Sequence, residues 1–128
     1  YEEINILPLI FYLGAIFWTL GYDTIYGVQD IEDDEIIGVK STSIKFKKNP
    51  KIFLCFSYLL FIFFFVVTGF ELNLNKFFFM GAIIVFIHLF FFQIIGFEKK
   101  NKLKCLNIFK SNNLLGLIIL MSIVLGKI

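Results

Sequence analysis

The chain has 128 residues, of which 59% are hydrophobic and 20% aromatic, and its formal net charge is +2 at pH 7. Its mean hydropathy is +0.85. Soluble domains are about 45–50% apolar, so the composition excludes an ordinary soluble domain and favours an integral membrane protein, for which we expect membrane lipid and no nucleic acid as a partner.

Four long apolar stretches predict four transmembrane helices. A hydrocarbon core of about 30 Å needs roughly 20 helical residues, and backbone groups in lipid must be paired within their own segment. The predicted fold is therefore an all-α integral membrane helical bundle. We expect residues 1–128 to form one transmembrane unit. We expect the spans at about 4–28, 52–70, 77–97 and 111–126, with the last one the shortest.

Acidic residues crowd the segment that follows the first apolar stretch. Carboxylates this close repel one another unless they are protonated or share a cation. If the first helix continues through this segment, Asp23, Asp30 and Asp34 lie at roughly 0°, −20° and +20° around its axis. Asp23 is also a functional candidate because charges inside apolar helices are costly and rare.

Asp30 and Asp34 form an i, i+4 pair about 6 Å apart along the predicted helix axis. This spacing suits two carboxylates that approach one cation from the same side. Oxygen ligands select hard cations, and Mg²⁺ above all when waters and a diphosphate complete the coordination shell. The alternative interpretation is a solvated acidic loop that the following lysines balance.

All twelve basic residues are lysines, and ten of them lie in two loops. Five are within 40–51 and five within 99–110. The positive-inside rule then places both loops, and the acidic segment with them, in the cytoplasm, and both termini on the opposite side. The lysines have a less specific interpretation as well, in which they only set the orientation and attract anionic lipid. Each lysine contributes about 1 kcal/mol to that attraction.

Polar residues within the predicted spans have a structural interpretation. We expect His88, Gln93 and Ser57 to form hydrogen bonds across helices or to face a cavity. A proton relay or haem ligand is the less favoured interpretation of His88, because the chain has no second histidine.

Glycines in the first span and in the acidic segment predict particular backbone features. We expect Gly14, Gly21 and Gly27 to allow close helix approach. Gly38 is predicted to form the turn that ends the acidic segment.

Two parts of the sequence resemble the UbiA-type intramembrane prenyltransferases, and within them the 4-hydroxybenzoate polyprenyltransferase branch. The run Asn112-Asn113-Leu114-Leu115-Gly116 resembles the start of that branch's last helix. The second aspartate-rich motif of the family is similar to Tyr22-Asp23-Thr24-x-Tyr26, Asp30-x-x-Asp33-Asp34 and Gly38-x-Lys40-Ser41-Thr42. The resemblance extends from about position 11 to the end of the chain.

The resemblance implies a nine-helix bundle around a central cavity. Two aspartate-rich motifs there hold Mg²⁺, which binds a polyprenyl diphosphate. Departure of diphosphate leaves an allylic carbocation, which the ring of 4-hydroxybenzoate attacks in ubiquinone biosynthesis. Matched by residue, Asp30 and Asp34 are the Mg²⁺ ligands, Asp23 has a catalytic role of undefined kind, and Lys40 and Asp33 lie near the diphosphate.

Three aromatic residues are candidates for the lining of such a cavity: Trp18, Tyr22 and Tyr26. Ring faces in a dry cavity suit an isoprenoid tail and stabilise a carbocation. The alternative role of these residues is packing or anchoring at the membrane interface.

One departure from the family concerns its first motif, Asn-Asp-x-x-Asp-x-x-x-Asp, since the sequence contains no Asn-Asp pair. The chain also begins without Met. We therefore expect the C-terminal part of a longer enzyme of the bacterial inner membrane. Alone it would be inactive, because the N-terminal half would be its missing partner. A degraded remnant is the alternative.

Other functions stay open at this point. They are the haem farnesyl or menaquinone branch of the superfamily, a non-catalytic membrane protein that binds cations, and a structural membrane subunit. The Tyr-Asp-Thr and Gly-x-Lys-Ser elements argue against the two other enzyme branches.

Overall fold

The computed structural model describes residues 6–38 and 40–128, apart from the side chains of Gln29, Glu32 and Asp33. Every regular element in these ranges is helical, and four helices are long and apolar enough to cross a membrane. The predicted all-α membrane bundle is thereby confirmed. The long helices are α1 (Leu7–Gly27), α4 (Pro50–Glu71), α5 (Lys76–Ile87, continued by a π-helical segment His88–Ile94) and α6 (Lys102–Lys127).

Short helical elements connect α1 to α4. A 3₁₀ turn (Val28–Asp30) follows α1 directly and leads into α2 (Ile31–Ile37), and α3 (Thr42–Lys45) precedes α4. Gly38 ends α2 with φ +79°, a left-handed conformation that glycine adopts without steric cost. The predicted turn at Gly38 is confirmed.

The first helix does not continue unbroken into the acidic segment. Asp30, the last residue of the 3₁₀ turn, has φ −114° and ψ 12°, outside the helical region. A 3₁₀ turn rotates about 120° per residue where an α-helix rotates about 100°, so the turn interrupts the single helical stripe expected through Asp23, Asp30 and Asp34. Asp30 is the N-cap of α2, and Asp34 lies four residues later within that helix.

The last helix is longer than its apolar stretch. It begins at Lys102 rather than at about 111, because the Asn101 side chain accepts a hydrogen bond from the Lys104 amide at 3.0 Å and caps the first turn. Charged residues mark where a hydrophobic span ends, but they do not end a helix. The first turns of α6 therefore carry the second lysine-rich loop away from the apolar span.

Close packing of α1 against α4 depends on the glycines of α1. A Cβ atom at Gly21 would lie 2.3 Å from the ring of Tyr58, and one at Gly14 would lie 3.0 Å from Cβ of Phe64. The predicted close helix approach at these two positions is confirmed. Helix α6 packs against both α5 and α1, which closes the bundle.

Aromatic side chains dominate the interior of the bundle. Tyr58, Phe61 and Phe65 of α4 and Phe78 of α5 are almost completely buried. Large apolar side chains also cover the outer surface of every long helix, which suits a lipid environment and not water.

The polar residues inside the spans lie between helices, with Gln93 and Ser57 buried and His88 half-buried. Nε2 of His88 lies 3.1 Å from the Ser111 hydroxyl of α6, and the Gln93 amide bonds to two other helices. The structural interpretation of His88 and Gln93 is confirmed. Ser57 is fully buried, but its hydroxyl has no hydrogen-bond partner within the described part of the chain, contrary to expectation.

Candidate functional site

The two ends of the aspartate-rich motif are joined by hydroxyl groups. Thr24 Oγ1 and Thr42 Oγ1 lie 2.6 Å apart, and the Ser43 hydroxyl donates to the Thr24 carbonyl oxygen at 2.8 Å. Thr24 and Ser43 are buried. We call this arrangement of Thr24, Thr42 and Ser43 the hydroxyl clasp. It docks α3 onto the end of α1 and turns the intervening acidic segment into a closed loop.

Gly27 makes the hydroxyl clasp sterically possible. A Cβ atom there would lie 2.2 Å from the Ser43 hydroxyl oxygen. The close approach predicted for Gly27 is confirmed, but its partner is α3 and not one of the long helices.

The three aspartates expected at the site have separate positions, with Asp23 just before the loop and Asp30 and Asp34 within it. Asp23 is exposed one turn before the end of α1. Asp30 is exposed at the end of the 3₁₀ turn, and Asp34 is half-buried in α2. None of the three forms an ion pair with another residue of the described ranges. Their carboxylates are therefore free to meet an added cation.

Asp33 and Lys40 were the two residues expected near a diphosphate. The side chain of Asp33 lies outside those that the structure describes. Lys40 is exposed and borders an open cavity of about 570 Å³ together with Ser41, Thr42, Ile44 and Lys45. Because Thr42 belongs to the hydroxyl clasp, this cavity adjoins the closed loop.

Asp30 and Asp34 have the donor set that Mg²⁺ prefers, namely carboxylate oxygens. Among the side chains that the structure describes, no three acidic, histidine or cysteine residues are grouped closely enough to enclose a metal ion. Mg²⁺ is usually held by one or two carboxylates, with waters and substrate phosphates in the other positions. Glu35, which follows Asp34 directly in α2, is already paired with Lys47 at 2.5 Å. The residues present fit an ion that a substrate phosphate shares.

A second cavity lies between α1 and α6, with a volume of about 340 Å³. It is lined by Trp18, Tyr22, Phe109, Asn112, Asn113 and Gly116. Two of the three aromatic candidates, Trp18 and Tyr22, thus share one cavity with residues of the Asn-Asn-x-x-Gly run. The structure brings these two motifs together although about 90 residues separate them.

Aromatic rings connect this cavity with the acidic turn. The ring of Phe109 packs 5.7 Å from Tyr22 and 4.5 Å from Tyr26. Tyr26 lies one helical turn before Asp30, and the Val28–Asp30 turn itself contacts α6. The third aromatic candidate therefore lies between the cavity and the carboxylates, outside the cavity lining.

The cavity wall is fixed by a network of buried hydrogen bonds. The Tyr58 hydroxyl donates to Gln93 Oε1 at 2.6 Å, and Gln93 Nε2 donates to Asn112 Oδ1 at 3.0 Å. Trp18 Nε1 donates to the same oxygen at 2.9 Å. We call these four residues the amide network. It joins α1, α4, the π-helical segment and α6.

Asn112 has no polar group left for a ligand. Its Oδ1 accepts two hydrogen bonds, and its Nδ2 donates to the carbonyl oxygens of Ile108 and Phe109. Asn113, in contrast, is exposed toward the same cavity. Of this pair of asparagines, Asn112 forms the hydrogen bonds of the wall, and Asn113 is an exposed lining residue.

Sequence reasoning missed three contributors to this region. Phe109, Tyr58 and Ser43 belong to none of the motifs or patterns that were assigned a role at the site. The i, i+4 spacing of Trp18, Tyr22 and Tyr26 indicates an aromatic face on α1, but it does not say which residue of α6 meets that face.

Comparisons with known proteins identify the family of the chain. Residues 2–120 match the model of the UbiA prenyltransferase family. The chain is 38% identical over 117 residues to a mitochondrial 4-hydroxybenzoate polyprenyltransferase of Dictyostelium discoideum, an alignment that covers 91% of the chain and 25% of the relative.

Bacterial relatives have similar identity over almost the whole chain. The chain is 36% identical to a 4-hydroxybenzoate octaprenyltransferase of Francisella tularensis subsp. novicida, an alignment that covers 99% of the chain and 44% of the relative. A protein of the same name in Psychromonas ingrahamii is 35% identical, with 97% and 44% covered. The chain thus spans less than half the length of these relatives. No solved structure matches it significantly.

Proposed function

The chain belongs to the UbiA prenyltransferase family, and from this membership we propose that it forms part of a membrane enzyme that transfers a polyprenyl group from its diphosphate to 4-hydroxybenzoate. The names of the curated relatives support this acceptor over those of the haem and menaquinone branches. The observation that carries the proposal is the hydroxyl clasp, which closes the acidic segment into a loop. This loop lies beside the cavity between α1 and α6, which we call the aromatic cavity.

Asp30 and Asp34 would hold Mg²⁺ in this proposal. When bound, the ion neutralises the charge that develops on the departing diphosphate. Lys40, exposed where the loop closes, is the candidate for a direct contact with diphosphate oxygens. Asp23 would add negative charge about two turns deeper in the span than Asp30, and Asp33 would add it beside Asp34.

The cavity between α1 and α6 would hold the apolar part of a substrate. Trp18, Tyr22 and Phe109 offer ring faces, which attract cationic carbon and keep water from a reactive intermediate. The amide network fixes the position of the Trp18 indole by a hydrogen bond. Tyr26 and Phe109 would form the apolar path between the cavity and the acidic loop.

The rest of the site would come from the part of the family's length that this chain does not span. We propose the partner to be the N-terminal half of the same enzyme, which would contribute the first aspartate-rich motif. The lysine-rich loops support a cytoplasmic position of the acidic loop, with the C-terminus on the opposite side. A bacterial inner membrane fits this orientation.

The test is prenyl transfer by the complete enzyme in membranes that carry single substitutions. Asp30→Asn and Asp34→Asn should each abolish transfer while the protein still inserts. Glu35→Gln is the matched control, because Glu35 lies on the same short helix but pairs with Lys47. If prenyl transfer survives in each of the two single aspartate variants, the assignment of the two carboxylates is overturned.

A further inference from the structure

A third cavity lies at the end of the bundle that carries the lysine-rich loops, away from the aromatic cavity. Its volume is about 300 Å³. The N-terminal end of α4 and the segment after the π-helical turn form its walls. It is lined by Lys48, Asn49, Pro50, Lys51, Ile52, Phe97 and Lys99. We call it the lysine pocket.

The three lysines of this pocket have no acidic partner in the described ranges. Glu35 and Glu98, which lie next to this region, already pair with other lysines, Glu35 with Lys47 at 2.5 Å and Glu98 with Lys104 at 3.0 Å. Three exposed ammonium groups around one cavity repel one another unless an anion lies among them.

One lysine is held beside the pocket by a neutral group. Lys99 Nζ donates a hydrogen bond to the carbonyl oxygen of Lys47. This contact joins the two lysine-rich loops and orders the Lys99 ammonium without neutralising it. The pocket is therefore a positively charged site whose walls come from two separate parts of the chain.

An apolar stripe on α4 leads from the pocket along the span. Ile52, Phe56, Leu59 and Phe63 are spaced as one helix face, and 69%, 59%, 53% and 60% of their surfaces are exposed. From Ile52 to Phe63 the stripe rises about 16 Å, close to half of a hydrocarbon core of about 30 Å. A free phosphate ion would match the lysines, but only a molecule with a long apolar tail matches the stripe as well.

We propose that the lysine pocket binds an anionic phospholipid of the adjacent leaflet. The phosphate of the head group lies among Lys48, Lys51 and Lys99, and one acyl chain follows the stripe of α4. Basic pockets between transmembrane helices bind acidic lipid head groups in this way. The site is separate from Asp30 and Asp34 and does not depend on prenyl transfer.

Binding of palmitoyl-oleoyl-phosphatidylglycerol to the purified protein in detergent, measured by native mass spectrometry, tests the proposal. Each lysine contributes about a five-fold gain in affinity, so the triple variant Lys48→Gln, Lys51→Gln, Lys99→Gln should bind the lipid about 125-fold more weakly. The triple Arg variant at the same positions should bind normally. The single variant Lys51→Gln, with about a five-fold loss, serves if the triple variant does not fold.

The matched control is the triple variant Lys100→Gln, Lys102→Gln, Lys110→Gln, which removes the same charge from the same end of the protein outside the pocket. It should bind the lipid within about three-fold of the unchanged protein, because screened charges outside contact range contribute little. An equal loss in both triple variants would overturn the proposal, as would equal binding of phosphatidylcholine.

Two competitors test the identity of the ligand. Inorganic phosphate should not displace the lipid at equal concentration, because it has no acyl chain to lie on Ile52 and Phe56. Farnesyl diphosphate should not bind with the same dependence on Lys48, Lys51 and Lys99. Displacement by phosphate would indicate a general anion site, and lysine-dependent binding of farnesyl diphosphate would indicate a substrate site. Either result would overturn the phospholipid assignment.

Discussion

The side-chain oxygens of Thr24 and Thr42 lie 2.6 Å apart, although 18 residues separate them in the chain. Thr24 Oγ1 also lies 2.7 Å from the Leu20 carbonyl, the only acceptor of that pair. The Thr24 hydroxyl therefore donates to Leu20, and the Thr42 hydroxyl donates to Thr24. This bond fixes the ends of the acidic loop, so the positions of Asp30 and Asp34 depend on it.

The hydroxyl clasp should be detectable as an energetic coupling between its two threonines. Thr24→Val and Thr42→Val each remove one hydroxyl at nearly constant volume, and each should lower the free energy of unfolding by about 0.5–1.5 kcal/mol. The double variant should lose less than the sum of the single losses. Reversible unfolding in mixed micelles measures all four proteins of the cycle. Strictly additive losses would contradict a direct bond between the side chains.

The amide network predicts opposite results for two neighbouring asparagines. Asn112→Leu leaves the Trp18 and Gln93 donors without their common acceptor, and should cost about 1–3 kcal/mol of stability. Asn113→Leu is the control, because Asn113 faces the cavity and not the network. Trp18 is the only tryptophan of the chain, so its fluorescence emission should shift in the first variant. An unchanged emission in Asn112→Leu would contradict the hydrogen bond to the indole.

Close contact between α1 and α4 should make Gly21 intolerant of a methyl group. Gly21→Ala places Cβ within 2.3 Å of the buried Tyr58 ring, so the helices must separate or Tyr58 must leave Gln93. We expect a loss of about 1–3 kcal/mol from overpacking. Gly116→Ala is the control, since its Cβ would lie 3.5 Å from Trp18 in ordinary contact. Thermal unfolding of the two variants gives the comparison, and equal stability would refute the packing argument.

The proposed site, with Asp30 and Asp34 as its two carboxylate ligands, predicts that prenyl transfer depends on magnesium. Removing divalent ions with EDTA should abolish prenyl transfer by the complete enzyme, and Mg²⁺ should restore it better than Ca²⁺, which needs more oxygen ligands. Glu35→Gln should leave the Mg²⁺ concentration for half-maximal activity unchanged, because Glu35 is bound to Lys47. Full transfer in EDTA would show that the proposed ion is not required.

Much of the architecture is evident in the sequence because hydropathy acts locally. A run of about 20 apolar residues must be helical in lipid, which gave four spanning helices without knowledge of their contacts. The turn at Gly38 and the close approach at Gly14, Gly21 and Gly27 follow from the lack of a Cβ atom. The i, i+4 spacing of Asp30 and Asp34 is likewise a property of the chain itself.

Tertiary structure alone decided which residues meet. Trp18 and Asn112 are 94 positions apart, and no local pattern indicates that their side chains share a hydrogen bond. The 3₁₀ turn before Ile31 and the early start of α6 at Lys102 depend on backbone geometry and a cap, which hydropathy does not record. The chain encodes where its helices and charged groups lie, whereas the pairing of hydroxyls, amides and rings around the cavities depends on how the helices pack.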